Sequence, residues 1–416
     1  MKCYIKLHFF MAFLVAVTSC SERDIKKQND EKNDPLAALK SELLKEQAVA
    51  KPETNSDGDW LGLDVDFKGG SGPTPLQEKI ALAGEERAIK DVKVTSLDLP
   101  GESILECMQW SPDGKYVCIL SEDGVLRKVA YPSLQQELIL EIGGKAGWMQ
   151  LCKYGILVGV ESLGQIWLID GTTLEVKRQF AAPGVGWYGF TSSLNSTAVY
   201  VSDDNAQKLI MIDIKTGTPV QEFSARALQS KFGNTIKKHP DSVVLTDMSF
   251  PTMSSDGKYF FCVGFECLHR FKVSGTDLIY EEMGPRIGSN AQRIYVDPES
   301  RYVAMPSGGG NGQPEGHPNA GSYVTYVYRV SDLSRPVIAL EGGAYPGCIA
   351  LDRVSKNVYL DNYDYQIMVF TPKGLKQQNY ALTENSDDVR QFLVHPDGGK
   401  LLVLTESALK NVEIPR

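Results

Sequence analysis

The sequence predicts an all-β fold built from a two-stranded unit that is repeated about seven times. The polar turn "SPDGKY" at 111–116 recurs as "SSDGKY" at 254–259 and, more loosely, as "HPDGGK" at 395–400. Each copy lies between an apolar run and a β-rich run, which is the pattern of a hairpin whose glycine adopts an unusual φ. We therefore expect each turn to join the first two strands of one repeat.

The same unit returns in less regular form along the rest of the chain. Together with the three turn-bearing copies, the set comprises 104–120, 148–160, 190–203, 248–264, 294–306, 349–362 and 392–405. The spacing is mostly about 40–45 residues and is stretched twice to about 55–60, and a third and a fourth strand follow the hairpins. The sequence therefore predicts a seven-bladed β-propeller with four-stranded blades over 91–416.

The two ends of this region predict how the ring of blades closes. The last repeat supplies three strands and ends with "LKNVEIP" at 409–415, whereas an additional strand, "DVKVTSLDL" at 91–99, precedes the first repeat. Placing 91–99 outermost on the last blade completes that blade. A sheet edge left unpaired at this point would favour association with other chains.

One stretch carries a resemblance to a known family. "STAVYVSDDNAQKLIMIDIKTGTPVQEF" at 196–223 resembles a YVTN-type repeat, and the turns resemble those of the wider WD40-like propeller group. The resemblance implies the fold but little about function, because propellers support many activities. The G-H…W-D pairing of true WD40 blades is absent, since third strands end at Asp170 or Asp213, so we do not expect the hydrogen-bonded tetrad of those blades.

The first twenty residues, "MKCYIKLHFFMAFLVAVTSC", have the organisation of an export signal. A basic start is followed by an apolar run of about nine residues, which is too short to span a bilayer. The final Val-Thr-Ser-Cys resembles the bacterial lipobox, which implies removal of 1–19 and acylation of Cys20. The residue after the cysteine is Ser21, which resembles the pattern of Gram-negative-type lipoproteins that are sorted to the outer membrane. We therefore expect a lipid-anchored protein of the cell envelope, most simply on the outer membrane. The alternative is ordinary cleavage beside a coincidental cysteine.

Two segments separate the signal from the propeller. Residues 20–58 are rich in charged and amide side chains and poor in aromatic and β-branched ones, so they cannot bury enough apolar surface to fold. We interpret them as a disordered tether. Residues 59–90 contain a strand-like and a helix-like stretch, and we interpret them as a lead-in segment packed on the propeller.

Charge and cysteine usage exclude several kinds of site. The net charge of −9 argues against nucleic acid as a partner, because phosphate binders need a basic surface. The chain has no C-x-x-C and no paired Cys/His spacing, so we predict no metal and no cofactor. If the hairpin turns are symmetric, Cys107 faces Cys118, and Cys262 faces Cys267. Bridges between directly paired strand positions are often strained, which favours free, buried thiols.

The sequence contains no specific match to a catalytic motif. "GVGWYG" at 184–189 has the G-x-G-x-x-G pattern, but it lies between strands with no helix to present amide groups to a pyrophosphate. We expect His269 and His395 to be structural. His239 and His317 lie in long connections, where a solvated residue is a simpler interpretation than a catalytic base.

Topology predicts which face of the propeller binds a ligand. The SPDG-type turns share one face, the turn face, whereas the fourth-to-first and second-to-third connections share the other, the loop face. Both long insertions, 224–247 and 307–322, belong to the loop face, and long connections in compact folds are usually functional or disordered. Aromatic, acidic and polar side chains enter the same face, and our ligand-contact candidates are Trp148, Trp187, Tyr188, Asp203, Asp204, Asn205, His317, Tyr345, Asp361 and Asp364.

These candidates allow two interpretations. Aromatic rings beside carboxylates suit sugars, peptides or a divalent cation. Alternatively, the rings seal blade interfaces and the carboxylates cap turns.

The function favoured by these patterns is a lipid-anchored binding or scaffolding module that presents its loop face to a protein, peptide or glycan. The alternative is a lactonase-like hydrolase on the same face, because some seven-bladed YVTN-like propellers resemble that class. Such catalysis needs a converging His/Arg/Glu set at the channel mouth. His317, Arg293 and Arg390 are scattered candidates that no motif connects.

We predict that the mature protein begins with an acylated Cys20. Mass spectrometry of the N-terminal peptide should show the mass of a cysteine that carries acyl chains, and a Cys20→Ser variant should lose them. An unmodified N-terminus at another residue, in a protein recovered free of membrane, would contradict lipidation.

Overall fold

The computed structural model describes residues 93–99, 103–186, 189–203, 208–224, 248–264, 267–284, 293–306, 324–333, 338–341, 347–362, 366–371, 376–381 and 388–413. These residues form seven four-stranded antiparallel sheets, which are the blades of a β-propeller. The predicted fold class is confirmed. The predicted signal peptide, tether and lead-in segment lie outside the described residues.

The strands follow one another in a regular order around the ring. Blade one contains β2 (Leu105–Trp110), β3 (Tyr116–Ser121), β4 (Val125–Ala130) and β5 (Gln135–Glu141). Blade two contains β6 (Ala146–Cys152), β7 (Gly155–Val160), β8 (Gln165–Ile169) and β9 (Val176–Ala181), with a short 3₁₀ helix at Glu161–Leu163. Blade three contains β10 (Phe190–Thr191), β11 (Ala198–Asp203), β12 (Lys208–Asp213) and β13 (Thr218–Ser224).

The second half of the ring repeats this order. Blade four contains β14 (Ser249–Met253), β15 (Tyr259–Gly264), β16 (Cys267–Ser274) and β17 (Asp277–Met283). Blade five contains β18 (Tyr295–Val296), β19 (Tyr302–Met305), β20 (Val324–Arg329) and β21 (Ile338–Glu341). Blade six contains β22 (Ile349–Leu351), β23 (Val358–Asn362), β24 (Gln366–Thr371) and β25 (Lys376–Ala381). Blade seven combines β26 (Val389–Val394), β27 (Leu401–Thr405) and β28 (Ala408–Glu413) with β1 (Lys93–Asp98). Within the described ranges, no helix is both long and apolar enough to cross a bilayer.

The side chains of the inner strands of a blade are more deeply buried than those of its outermost strand. Second strands are covered on both faces by the neighbouring sheets, and β27 is buried along its whole length. Such strands therefore read as continuous apolar runs rather than as alternating patterns. Fourth strands form the outer edge of the ring, and β5 and β9 are mostly exposed.

The hydrophobic core consists of layers between neighbouring blades. Between blades three and four, Tyr200 lies 5.5 Å from Phe260 between ring centroids, and Phe260 lies 5.8 Å from Phe271. All three side chains are almost fully buried. Burial of each such side chain contributes about 1.5–3 kcal/mol, so these layers hold adjacent blades together.

Side-chain hydrogen bonds also join the innermost strands across blade junctions. An innermost strand has a free edge toward the channel, where backbone N–H groups have no partner within their own sheet. Such N–H groups need a hydrogen-bond acceptor when they are buried. In three junctions a side chain on one innermost strand accepts this hydrogen bond from the next blade: Gln391 from Met108 (2.7 Å), Thr191 from Met253 (2.9 Å) and Tyr295 from Leu351 (3.2 Å).

The recurring turn is a small hydrogen-bonded unit that uses each of its characteristic residues. Ser111 Oγ donates to Asp113 Oδ1 at 2.7 Å and accepts from the Tyr116 backbone N–H at 3.0 Å. The same two bonds recur in the second copy, at 2.7 and 2.9 Å. Gly114 has a φ of 67°, which a residue with a side chain rarely adopts. The repeated letters therefore encode the geometry that returns the chain at the turn face.

Turns of neighbouring blades also contact one another. Arg353 in blade six bonds Glu299 in blade five at 3.0 Å and the Pro396 carbonyl in blade seven at 2.9 Å. His395 Nε2 donates to the Gly114 carbonyl in blade one at 3.2 Å, and its ring lies 4.9 Å from that of Trp110. The prediction that His395 is structural is confirmed.

His269 likewise has a structural position. It is fully buried in β16, and its Nδ1 lies 3.4 Å from the hydroxyl of Tyr280. Its predicted role in the blade interior is therefore confirmed. His239 lies outside the described residues.

The predicted closure of the ring is confirmed. β1 pairs with β28 in antiparallel register, from Lys93 opposite Glu413 to Asp98 opposite Ala408, and the resulting sheet has the order β1-β28-β27-β26. A strand from the beginning of the propeller thus completes the last blade. This pairing joins the two ends of the propeller through backbone hydrogen bonds.

The predicted pairing of cysteines is wrong. Cys107 is opposite Leu120 and Cys118 is opposite Gln109, because the first hairpin is centred one residue later than a symmetric turn predicts. The same displacement puts Cys262 opposite His269.

Free thiols are the observed state of five cysteines. Cys107, Cys118, Cys152, Cys262 and Cys348 are unbridged and buried, as predicted. Burial raises the pKa of the Cys107 and Cys118 thiols to about 12, which keeps both unreactive near neutral pH.

We expect the closing strand to stabilise the whole ring. Val94 packs against the core layer between blades six and seven, and Leu97 packs against the layer between blades seven and one. Replacing both with Asp should lower the free energy of unfolding by about 2–4 kcal/mol, because two partly buried apolar side chains are lost and two charges are placed beside the core. Chemical denaturation measures this change.

The matched control uses the exposed positions of the same strand. Thr95→Asp with Ser96→Asp should cost much less, since neither side chain packs on the core. Equal losses in the two double variants would contradict a closing role for the apolar side chains of β1.

Candidate functional site

Residues at the beginnings of the innermost strands surround the loop-face mouth of the central channel. These strands run from the loop face to the turn face. Trp148 in β6, Arg293 just before β18 and Arg390 in β26 are partly exposed at this mouth. They come from blades two, five and seven, so the mouth is assembled from distant parts of the chain.

Arg293 reaches across the channel. Its guanidinium carbon lies 5.2 Å from the ring centroid of Trp148, a cation–π distance, although the two residues belong to blades five and two. Burial lowers the pKa of the Arg293 guanidinium, and the charge of Arg390 lowers it further. Cys348, Cys107 and Glu106 oppose this shift by favouring the charged form. One side chain therefore interacts with four other blades.

Arg390 provides the second cation at the mouth. Its Nη2 donates to Glu406 Oε1 at 2.9 Å, and its side chain remains 22% exposed. The structure thus brings together Arg293 and Arg390, which the sequence presents as scattered candidates. Almost a hundred residues separate them, so only the closed ring makes them neighbours.

Asp361 is buried at the loop-face end of β23. Its Oδ1 accepts hydrogen bonds from the Gly347 N–H at 2.8 Å and the Cys348 N–H at 2.6 Å, which holds the chain where it approaches β22. Burial raises the pKa of Asp361 to about 6, against the opposing effect of these N–H donors. The observed contacts of Asp361 are those of a carboxylate that caps a connection.

Asp203 and Gly184 pack against each other on the loop face. Asp203 is the last residue of β11 and lies opposite Lys208. A Cβ atom at Gly184, whose φ is 78°, would lie 2.6 Å from Asp203 Cγ. Close packing beneath Asp203 therefore accounts for the first glycine of the 184–189 motif, which lies between β9 and β10 as expected.

The other ligand-contact candidates lie outside the described residues: Trp187, Tyr188, Asp204, Asn205, His317, Tyr345 and Asp364. The ligand-contact role of the whole candidate set remains a prediction. Trp148 packs against the core layers on both sides of its blade, besides its contact with Arg293.

The described strands define where both long insertions leave the propeller. The first connects β13, which ends at Ser224, to β14, which begins at Ser249, and is therefore a fourth-to-first connection. The second connects β19, which ends at Met305, to β20, which begins at Val324, and is a second-to-third connection. Both start and end on the loop face.

Acidic side chains predominate on the described part of the loop face. Lys145 lies 3.8 Å from Glu122 and 3.3 Å from Glu161 in an exposed network. The described charged residues at the loop-face ends of the strands include Asp98, Glu106, Glu122, Asp123, Glu141, Glu161, Asp203, Asp361, Asp388 and Glu406, with Lys145, Lys208, Arg293 and Arg390. Within the described ranges, no three His, Cys, Asp or Glu side chains are grouped to hold a metal ion.

Comparison with known proteins supports the fold. No protein-family model matches the chain, and no curated protein matches it in sequence. Among solved structures, the chain is similar to the WD40 domain of Neurospora crassa Pan2, with a TM-score of 0.57 and 12% identity. The match covers 79% of this chain and 98% of that domain. At this identity the similarity shows a WD40-like seven-bladed fold and no specific activity.

We predict that Asp361 makes stability pH-dependent. Because its folded pKa is raised from 3.8 to about 6, the group contributes stability below about pH 4 that is lost as the pH rises through about 6. Relative to an Asp361→Asn variant, the wild-type free energy of unfolding should fall by about 2–3 kcal/mol between pH 4 and pH 7. Denaturant titrations at several pH values measure this difference.

A wild-type advantage over Asp361→Asn that grows from pH 4 to pH 7 would contradict the raised pKa.

Proposed function

We propose that the protein is a lipid-anchored binding or scaffolding module whose loop face holds a protein, peptide or glycan partner. The observation that carries this proposal is the position of the two long insertions. Their described ends open on the same face, one between blades three and four and one in blade five. A WD40-like propeller is compatible with such a role.

The rigidity of the ring supports this function. Binding residues are commonly placed on loops that a rigid scaffold positions. Here the scaffold is held by buried layers between blades, by hydrogen bonds between innermost strands and by contacts between turns. The loop face therefore projects from a framework that resists deformation when a partner binds.

The proposed location is the cell envelope, through acyl chains on Cys20 and most simply on the outer membrane. Its support is the order of basic, apolar and Val-Thr-Ser-Cys residues at the N-terminus. Several acyl chains give durable attachment, since each buried methylene contributes about 0.8 kcal/mol. The membrane is thus one partner of the protein, and the ligand of the loop face is another.

Binding is favoured over hydrolysis by the contacts at the mouth. Arg293 stacks on Trp148 and Arg390 bonds Glu406, which are structural interactions. The predicted hydrolase candidate His317 lies outside the described residues. The two arginines that converge at the mouth are the observation that favours the alternative, a hydrolase.

We predict that loop-face changes weaken partner capture while the fold survives. Trp187→Ala, Tyr345→Ala and replacement of 307–322 by a short Gly-Ser link should each reduce the yield of a specific crosslinked partner in intact cells. Loss of an aromatic anchor commonly costs more than about 1–2 kcal/mol of binding, or roughly tenfold in affinity. Quantitative crosslinking and pull-down with the full-length protein measure the effect, with thermal unfolding as a check on folding.

Turn-face substitutions provide the control. Asp113→Ala and Asp256→Ala remove acceptors within the turns of blades one and four, on the opposite side of the ring. Both variants should capture the partner normally. Loss of capture in these variants, with normal capture by the loop-face variants, would place the binding surface on the turn face.

A further inference from the structure

We propose, on the basis of the binding function proposed above, that the loop-face mouth of the channel binds a carboxylate of a peptide segment that also carries a basic side chain. Arg293 and Arg390 are the residues that hold the carboxylate. Three features of the described residues support this chemistry: a bulge that projects Arg390 from its sheet, the contacts that fix both guanidinium groups, and the balance of charge around them.

A β-bulge determines the position of Arg390. Val389 and Gln391 pair with consecutive residues of β27, so Arg390, the second residue of β26, is the bulged residue between them. β2 and β6 have the same bulge at their second residues, Glu106 and Gly147. Bulges commonly redirect a side chain beside a functional site. At three equivalent positions around the mouth, blade seven therefore carries a cation, blade one an anion and blade two no side chain.

Arg293 brings a second guanidinium to the same mouth. Its contact with the Trp148 ring extends from blade five to blade two, and Arg390 belongs to blade seven, on the arc of the ring that joins these blades through blades six and one. The positive charge of Arg390 lowers the pKa of the Arg293 guanidinium. The two cations are thus close enough to repel each other, and an anion bound beside both would offset this repulsion.

Arg390 is fixed by one hydrogen bond and keeps donors for a ligand. A guanidinium has five N–H donors, and among the described residues one bond to a protein acceptor is formed, from Nη2 to Glu406 Oε1 at 2.9 Å. Nε is buried, so a ligand would reach the terminal nitrogens. A carboxylate commonly accepts two parallel N–H bonds from one arginine. The bond to Glu406 therefore orients the guanidinium without using its whole binding capacity.

The charge balance at the mouth favours a ligand that combines an anion with a cation. Glu406 lies beside Arg390, Glu106 favours the charged form of Arg293, and the Leu105 N–H donates to the Glu406 carbonyl at 2.9 Å, which keeps the start of β2 next to Glu406. Two carboxylates thus balance two guanidinium groups. A bound carboxylate adds one negative charge and a phosphate adds more, whereas a basic group on the same ligand removes the excess.

A peptide provides this combination, whereas a polyuronate glycan provides only the anions. The surrounding surface acts in the same direction, because carboxylates outnumber basic side chains at the described loop-face ends of the strands. Such a surface repels a polyanion over about a Debye length and attracts basic side chains. The expected ligand is therefore a segment in which Asp, Glu or the C-terminal carboxylate is next to Lys or Arg.

Selection from a peptide mixture tests this chemistry without a known partner. Random hexapeptides, one set with a free C-terminal carboxylate and one with a C-terminal amide, are presented to immobilised full-length protein. We expect enrichment of peptides that carry a carboxylate next to Lys or Arg. Enrichment in the free set alone would identify a C-terminal carboxylate, whereas enrichment in both sets would identify Asp or Glu. Either result supports the proposal.

A double-mutant cycle on the most strongly enriched peptide then tests contact with the arginines. Replacing its carboxylate by an amide should weaken binding to the wild type by at least about tenfold, because a charge-assisted pair is lost. The same replacement should have little effect on Arg390→Gln protein, in which the cation is absent. Arg293→Lys keeps the charge but loses the guanidinium fork, so the effect should be intermediate. Calorimetric titration measures each Kd, with thermal unfolding as a check on folding.

Arg353→Gln is the matched control, since Arg353 also bonds one glutamate but lies on the turn face. Its cycle should match that of the wild type. Equal effects of the amide replacement in wild type and Arg390→Gln would overturn the proposal, as would enrichment of peptides without carboxylates, the absence of any enriched peptide, or stronger binding of oligogalacturonate.

Crosslinking in intact cells separates this failure from that of the loop-face function. Normal partner capture by Arg390→Gln, together with reduced capture by Trp187→Ala, would contradict the carboxylate site and leave the binding function in place.

Discussion

The pairing of β1 with β28 is the constraint on which the rest of the structure depends. Six residue pairs connect the first and last strands of the ring, and the apolar side chains of β1 complete the core layers on both sides of blade seven. Without this strand, the seventh sheet would expose an edge and two layers would be incomplete. The same pairing sets the point where the N-terminal chain reaches the ring.

A closed ring explains how dispersed residues form one site. Arg293, Trp148 and Arg390 are far apart in sequence and belong to different blades, yet all three lie where innermost strands begin at the loop face. Opposite them, the repeated Ser-x-Asp-Gly turns use their polar residues on one another and on neighbouring turns. The two faces thus have different tasks: turn-face polar groups hold the ring together, whereas the loop face carries the long insertions and an excess of carboxylates.

The fold was predictable because each repeat carries local signals. Turn residues, apolar second strands and the extra strand at 91–99 indicated both the number of blades and the closure, and these predictions are confirmed. The register of the hairpins was harder to predict from the sequence. The turn centre lies one residue later than expected, so the strand partner of Cys118 is Gln109 instead of Cys107. The contact between Arg293 and Trp148 could not be predicted, because no local pattern reports which side chains cross a central channel. Asp361 was singled out from its acidic cluster on the predicted loop face, but its hydrogen bonds to the N–H groups of Gly347 and Cys348 depend on how the folded chain approaches β22, which no local pattern reports.

Native-state hydrogen exchange at the β1–β28 pair tests the central claim most directly. If closure makes the ring one cooperative unit, the ladder amides of Leu409, Asn411 and Leu97 should exchange only through global unfolding, with opening free energies equal to that of the amides in the buried β27. Exchange of β1 and β28 through a separate opening several kcal/mol below the global value, with β27 still protected, would contradict it.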